Sequence, residues 1–358
     1  MKLKLATAAA VVCTALPSMG FVKVESKSSV NKDGSAKFST VLEFDLTAPL
    51  AMMGQAGAKN PLGDGRDILV QMIKGMKGNV DVWSDAKAET TKAGATRISI
   101  SGFTKDWRAM GDLKKAIAAS GQADKVPLED IPEIKVMDMK NDSSGNTVFT
   151  MAGLDDIGNI LNAARQFAIK KGEVPKPGEM KVDEAEIAQG LTQARSAWPG
   201  IKGALSPIIK GISIKSDIEV SGTITTSEVF KKTGENSASF TFTGDQLLGL
   251  ADQIIADEEL PGKIVALIKD VESNFDNEKS VTAVKSFIEP YLKTVYGGAT
   301  NPKIVVKPGA DAFDYAAETA KAKEAQSDEL KSLLDAASKT GTGVKLPDSA
   351  PAPKKKAA

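Results

Sequence analysis

The chain has 358 residues, 42% hydrophobic and 26% charged, which is enough apolar material for a packed core and excludes wholesale disorder. Its 46 basic and 46 acidic residues balance, and loss of the first twenty residues, with Lys2 and Lys4, would leave a net charge of −2. Such a surface has no general attraction for nucleic acid, whose binding needs basic side chains to displace counterions.

The N-terminus reads as an export signal. Lys2 and Lys4 form a positive start, and Leu5 to Leu16 is an apolar run too short to span a bilayer but suited to a signal peptide. Pro17 breaks the run, and Ser18-Met19-Gly20 offers small residues for a cut before Phe21. Cys13 is preceded by Val12 and lies inside the apolar run, so it reads as an apolar filler and not as a lipidation site. Cleavage after Gly20 would leave a product with no thiol and no disulfide. No later stretch has the uninterrupted apolar length of a membrane helix. The expected product is soluble or peripherally attached, in the periplasm or outside the cell.

The body then repeats one plan four times, a β-hairpin followed by an amphipathic helix. In the first unit Val22 and Val24, the turn Asn31-Lys32-Asp33-Gly34, and Phe38, Leu42, Phe44 and Leu46 alternate with period two. Ile68, Leu69, Met72, Ile73 and Met76 then recur at helical spacing. The second unit pairs Val80 and Val82 with Ile98 and Ile100 across a turn at Lys92-Ala93-Gly94, and its helix carries Trp107, Met110, Leu113 and Ile117. The third runs from Ile134 to Met151 with a turn at Asp142-Ser143-Ser144-Gly145, then a helix from Ile157 to Phe167. In the fourth, Ile212, Ile214, Ile218, Val220 and Ile224 alternate and are answered by Ala238, Phe240 and Phe242. The helix that follows begins at Leu247 and Leu248.

Asp106, Asp155-Asp156 and Asp245 stand at helix starts, where capping and the helix dipole account for them without catalysis. Residues 173–210 are rich in Pro and Gly, with one modest helix around Val182 to Ala197. Helical segments follow around Lys263 to Val271 and Val281 to Val295, with a short last strand at Lys303 to Val306. Phe313 to Ser338 reads as helical with a weak apolar stripe, loosely held. From Lys339 the chain is Gly, Pro, Ala, Ser and Lys and reads as a flexible tail. Domain boundaries therefore fall at 1–20 (signal), 21–172 (three units), 173–210 (linker), 211–338 (fourth unit and helices) and 339–358 (tail). The expected fold class is α+β, with antiparallel sheet built from four hairpin–helix units, helices over one face and a helical extension.

Catalytic chemistry is narrowed sharply. The chain contains no histidine, so Ser-His-Asp and Cys-His nucleophiles, His-dependent zinc sites and imidazole bases are absent by composition. No phosphate-binding Gly-x-x-x-x-Gly-Lys-Ser/Thr string occurs, and Gly63-Asp64-Gly65 lacks the third glycine of a dinucleotide fingerprint and reads as a flexible connection. Asn31-Lys32-Asp33-Gly34 has no glutamate at calcium-loop spacing, so it reads as a hairpin turn. No cofactor or metal is expected. Aromatics make up only 5% of the chain, with Trp83, Trp107 and Trp198 its tryptophans, leaving little on which to stack sugars or bases. The candidate binding feature is a group of methionines, Met52, Met53, Met72, Met76 and Met110, which suits an adaptable apolar surface and equally suits ordinary core filling.

Two segments resemble LppM-like bacterial envelope lipoproteins. Gly20-Phe21-Val22-Lys23-Val24-Glu25 with Val30-Asn31-Lys32-Asp33-Gly34-Ser35 is similar to their first strand and turn. Ile218-Glu219-Val220-Ser221-Gly222-Thr223-Ile224, backed by Asn236 to Phe242, is similar to a later strand pair. The resemblance spans about a fifth of the chain. It implies an envelope-facing α+β domain with affinity for lipids, in which the first and last hairpins share one sheet. The lipidated cysteine of that family would fall at Phe21, which implies a chain without the anchor.

The leading functional expectation is a non-enzymatic exported binding or interaction protein of the bacterial envelope, for an apolar small molecule or an envelope protein. Two alternatives stand beside it: a hydrolase using Asp and Glu alone, and a structural component assembling through strand edges.

Overall fold

The first hairpin owes its shape to a turn built from short polar residues. The computed structural model describes residues 22–45, 64–92, 94–111, 137–151, 184–273 and 278–339. Strand β1 (Val22–Val30) pairs antiparallel with β2 (Ala36–Phe44) from Val22 opposite Phe44 to Val30 opposite Ala36. Between them Gly34 takes φ +89°, and Asp33 Oδ1 accepts from the backbone N–H and hydroxyl of Ser35 at 2.9 and 2.7 Å.

Helix α1 (Gly65–Gly75) follows, with the Asp64 carboxylate accepting from Asp67 N–H at 2.9 Å. Asp64 and Gly65, expected to form a flexible connection, are thus the cap and first residue of a helix. The second hairpin joins β3 (Val82–Thr90) to β4 (Thr96–Thr104), with a bulge at Ser84 in the outer strand, and leads into a short 3-10 turn, Trp107–Gly111. The third hairpin joins β5 (Met137–Asn141) to β6 (Thr147–Met151). Helix α2 (Glu184–Ile209) comes next and runs on through Pro199 and Pro207, well past the expected end at Ala197. A proline usually stops a helix, but here the chain continues beyond both.

Strands β7 (Ser213–Val220), β8 (Gly222–Glu228), β9 (Lys231–Lys232) and β10 (Ser237–Thr243) form the last β region. Helices α3 (Gly244–Ala256), α4 (Leu260–Ser273) and α5 (Glu278–Val295) follow, then β11 (Lys303–Pro308), α6 (Tyr315–Glu324) and α7 (Asp328–Lys339). The protein is α+β, and its described strands form two sheets, with orders β3-β4-β2-β1-β7-β10-β9 and β5-β6-β11-β8.

This topology revises the four-unit plan. The first and last hairpins do share a sheet, through a parallel pairing of β1 with β7 that sets Val24 opposite Ile214 and Val30 opposite Val220. The third hairpin instead joins the second sheet, beside β11. The long strand expected from Ile212 to Ile224 is divided at Ser221-Gly222, its two halves lying in different sheets. Gly222 makes the change of sheet with φ +124°, and a Cβ there would stand 2.1 Å from the Lys307 carbonyl oxygen.

Two apolar clusters lie on one face of the larger sheet. Phe38, Phe44, Trp83, Ile98 and Ile100 pack under α1 and α7 through Leu69, Ile73, Leu330 and Leu333. Val30, Ile218 and Val220 pack against Phe149, Ile224, Ile304 and Val306 of the second sheet. The described helices therefore cover part of this face, while α2 to α5 pack largely on one another. The C-terminal segment is held more firmly than its sequence suggests. Its first helix buries no residue, but α7 buries Leu330, Leu333 and Ala337. The segment also covers the far edge of the larger sheet. Phe313 and Tyr315 lie against Phe103, Gln326 Nε2 donates to the Trp83 carbonyl at 2.9 Å, and α7 packs against α1 and β3.

Candidate functional site

A cavity of about 240 Å³ lies at the seam between the two clusters. Its floor is the larger sheet, where β1 departs from its own pattern. The alternation that points Val22, Val24 and Val30 away from the exposed Lys23, Glu25 and Lys27 also includes Ser26 and Ser28. Register extends this polarity sideways, since Ser26 pairs with Thr40 of β2 and with Ser216 of β7, giving three hydroxyl residues in one row across three strands. All four of these hydroxyl residues line the cavity. Ser26 Oγ makes a long contact of 3.4 Å to the Lys215 carbonyl, whereas the side chains of Ser28, Thr40 and Ser216 have no hydrogen-bond partner among the described residues.

The opposite wall is mainly apolar. Met137, Phe149, Thr150, Met151 and Ile304 come from the second sheet, Phe38 and Ile218 flank Ser28 on the floor, and Thr104 and Phe230 also line the space. Phe230 is delivered by a tight turn in which Val229 takes φ +69°, an uncommon conformation for a β-branched residue. The 3-10 turn contributes Trp107 and Met110. Local bonds set the position of that turn: Asp106 N–H donates to Thr104 Oγ1 at 3.2 Å, and Trp107 N–H donates to the Gly34 carbonyl at 2.8 Å. The Asp106 carboxylate accepts from the Arg108 backbone N–H and from both Nε and Nη2 of its guanidinium at 3.0, 2.7 and 3.1 Å, which pushes the Arg108 pKa further up. The Trp107 ring meets Phe149 edge-on at 5.7 Å. Trp107 is 4% exposed, and its indole N–H has no hydrogen-bond partner among the described residues. No charged side chain is among the described residues lining the cavity.

No protein-family model matches the chain, and no curated protein matches it. Among solved structures, the chain is similar to the NMR structure of the folded domain of LppM from Mycobacterium tuberculosis, at 7% identity over 63% of this chain and 84% of that one, with a TM-score of 0.29. That overlap fits the resemblance in the strand motifs loosely and carries no argument about function.

Of the methionines expected to form a binding surface, Met110 is the one that lines the cavity among the described residues. Met72 and Met76 pack against the cluster under α1 and α7, the ordinary core filling that their spacing equally allowed, while Met52 and Met53 lie outside the described residues. The methionines that do line it beside Met110, Met137 and Met151, sit on the third hairpin. A legible signal was present in β1, where two serines occupy inward positions of a strand whose other inward residues are valines.

The acids at helix starts have structural roles where they are described. Asp106 closes the 3-10 turn. Asp245 is an exposed first-turn residue 3.8 Å from Lys210, and the cap of α3 is Thr243, which exchanges bonds with Gln246. Asp155 and Asp156 lie outside the described residues. A second, shallower hollow beside α2 and α3 is bordered by paired groups. Arg195 donates to the carbonyls of Ile255 and Asp257 at 2.8 and 2.6 Å, and Asp252 accepts from Trp198 Nε1 and Lys202 Nζ at 2.8 and 2.6 Å. Arg195 thereby satisfies the last carbonyls of α3, a role in stability.

The carboxyl pKa values that are displaced all move down among the described residues. Lys202 and Trp198 lower Asp252; Lys263 and the Tyr291 hydroxyl lower Asp257; Asn146 lowers Asp142. At Asp217 burial works the other way but is outweighed by bonds from Ser239 and Lys215. Among the described residues there is no group of three or more His, Cys, Asp or Glu side chains able to hold a metal, and no helix is long and apolar enough to cross a membrane.

Proposed function

We propose that the protein is an exported binding protein of the bacterial envelope, periplasmic or extracellular, that carries a small apolar molecule between its two sheets. The observation that carries this reading is the uncharged cavity of about 240 Å³, walled by Met137, Met151, Phe149, Ile304 and Met110. An apolar cavity of roughly 150 Å³ already accepts benzene, and at about 30 Å³ per water this one has the volume of roughly eight waters. Methionine and phenylalanine walls adapt to ligands of varied shape.

Two observations favour ligand binding over the alternatives. A hydrolase working with carboxyls alone needs an acid whose pKa is raised, and among the described residues the displaced aspartates are all lowered. Assembly through strand edges is opposed at β3 by the wrapped C-terminal segment.

The test is intact-mass analysis of the full chain expressed in a bacterial host, before and after organic extraction. A polypeptide starting at Phe21 with an extra mass that leaves on extraction is the expected result. A bare polypeptide that also fails to take up hydrocarbon probes would refute the ligand reading, and a mass retaining Met1 would refute export.

A further inference from the structure

We propose that the cavity selects an uncharged amphiphile, a short chain ending in a hydrogen-bond-accepting ester or amide carbonyl, held by the Trp107 indole N–H and the Thr40–Ser26–Ser216 hydroxyl row. This rests on the reading of the cavity as a ligand site and adds the chemistry of the ligand's head.

Three features of the lining define that chemistry. The indole N–H is a pure donor, and Trp107 is 4% exposed, lines the cavity and has no partner for that group among the described residues. A buried donor without a partner costs free energy that a ligand acceptor would recover. The hydroxyls of Ser28, Thr40 and Ser216 also lack partners among the described residues, and each can donate as well as accept. Finally, the lining holds no lysine or arginine among the described residues, so a carboxylate or phosphate would lose its hydration without a compensating charge. Donors from the hydroxyl row and the 3-10 turn, in a lining that is otherwise largely methionine, phenylalanine and isoleucine, match a molecule with a polar end and an apolar body. Water is a poorer occupant of the apolar half, because a stable buried water needs two to four polar partners. The volume limits the body to a short chain, far smaller than a two-tailed lipid.

The experiment uses three probes matched in heavy-atom count: methyl hexanoate, nonane and heptanoate. Each is titrated into the exported chain and followed through the indole N–H signals of Trp83, Trp107 and Trp198, with Trp107→Phe assigning the signal. The ester should move the Trp107 signal and bind at least about fivefold tighter than either nonane or heptanoate, the effect of one recovered hydrogen bond. Trp107→Phe should remove the advantage of the ester over nonane. Thr40→Val and Ser216→Ala, which leave the strand backbone pairs intact, should each weaken the ester about two- to fivefold and serve if the Trp107 variant does not fold. Equal binding of ester and nonane, tighter binding of heptanoate, or ester binding with a stationary Trp107 signal overturns the head-group assignment while the apolar cavity stands. Failure of all three probes to bind overturns both.

Discussion

Asn31 is the residue whose replacement tests the architecture most directly. It lies in the first hairpin turn, 3% exposed, and its side chain reaches the chain some 280 residues later. Nδ2 donates to the Phe313 carbonyl at 3.0 Å and to Ser35 Oγ at 3.1 Å, while Oδ1 accepts from Ala312 and Phe313 N–H at 2.9 and 3.3 Å. In Asn31→Ala the Ala312 N–H keeps Ser221 Oγ as acceptor at 3.0 Å, but both backbone groups of Phe313 lose the partner described here. Each half-buried orphan costs about 1–3 kcal/mol, and partial access of water lowers the sum, so a loss of about 2–4 kcal/mol is expected. Against a typical total of about 5–15 kcal/mol this is a large fraction. Asn31→Asp should be no better, since it removes the donor and sets a carboxylate against the Phe313 carbonyl. Urea unfolding measures the loss, and amide exchange at Phe313, Leu330 and Leu333 localises it to the C-terminal segment. A loss below about 1 kcal/mol with unchanged exchange at those amides would refute the claim that Asn31 anchors the segment.

Other substitutions and pH address the remaining elements. Gly222→Ala should cost at least about 3 kcal/mol in urea unfolding, because its Cβ would meet the Lys307 oxygen at 2.1 Å and its φ is +124°. Val229→Gly should be neutral or stabilising by about 1 kcal/mol by the same assay, since relief of strain at φ +69° offsets the added freedom of the unfolded chain. The chain's tyrosines are Tyr291, Tyr296 and Tyr315, and all three are raised, chiefly by burial, with Tyr291 pushed up to about 12. The folded state therefore holds these protons more tightly, and the associated stability is present below pH ~10 and lost as pH rises toward the folded values. Phenolate absorbance should stay flat through pH ~10 in the native protein and rise there once it is unfolded. Asp252 and Asp257 act with the opposite sign: lowered on folding, they support stability above the unfolded carboxylate value near ~3.9, and that support is lost as pH falls through the folded values. Asp257→Asn should accordingly flatten the acid limb of a melting-temperature profile.

How far the sequence could be read depended on the range of each interaction. Alternation in Val22–Val30 and Ala36–Phe44 and the Asn31–Ser35 turn are local, so the hairpins were legible almost residue by residue. The short strand at Lys303 was legible too, but not its central place between β6 and β8, with Ile304 and Val306 fully buried. That place depends on Gly222, whose local pattern reads as one continuous strand and whose requirement for glycine comes from Lys307, far along the chain. The weak stripe assigned to residues 313–338 averaged two different helices, an exposed α6 and an α7 that buries Leu330 and Leu333. Composition marks the methionines as adaptable apolar residues without saying which of them face a space: Met110 lines the cavity, while Met72 and Met76 pack against a core cluster.

The cavity follows from the same division of the strand at Gly222. A single continuous sheet with one helical layer would have put every inward residue of β1 under one set of side chains, and Ser26 and Ser28 would then be misplaced polar groups. With the larger sheet covered by helices at one end and by a second sheet at the other, the inward residues meet three environments in turn. Val22 lies against the cluster under α1 and α7, Val30 lies in the cluster between the sheets, and the two serines fall at the join. Among the described residues neither cover reaches across the join, so it is not fully packed there and hydroxyls are tolerated. A polar row at inward register is thus a consequence of the topology, and its hydroxyls are what would give a largely apolar cavity a preferred end.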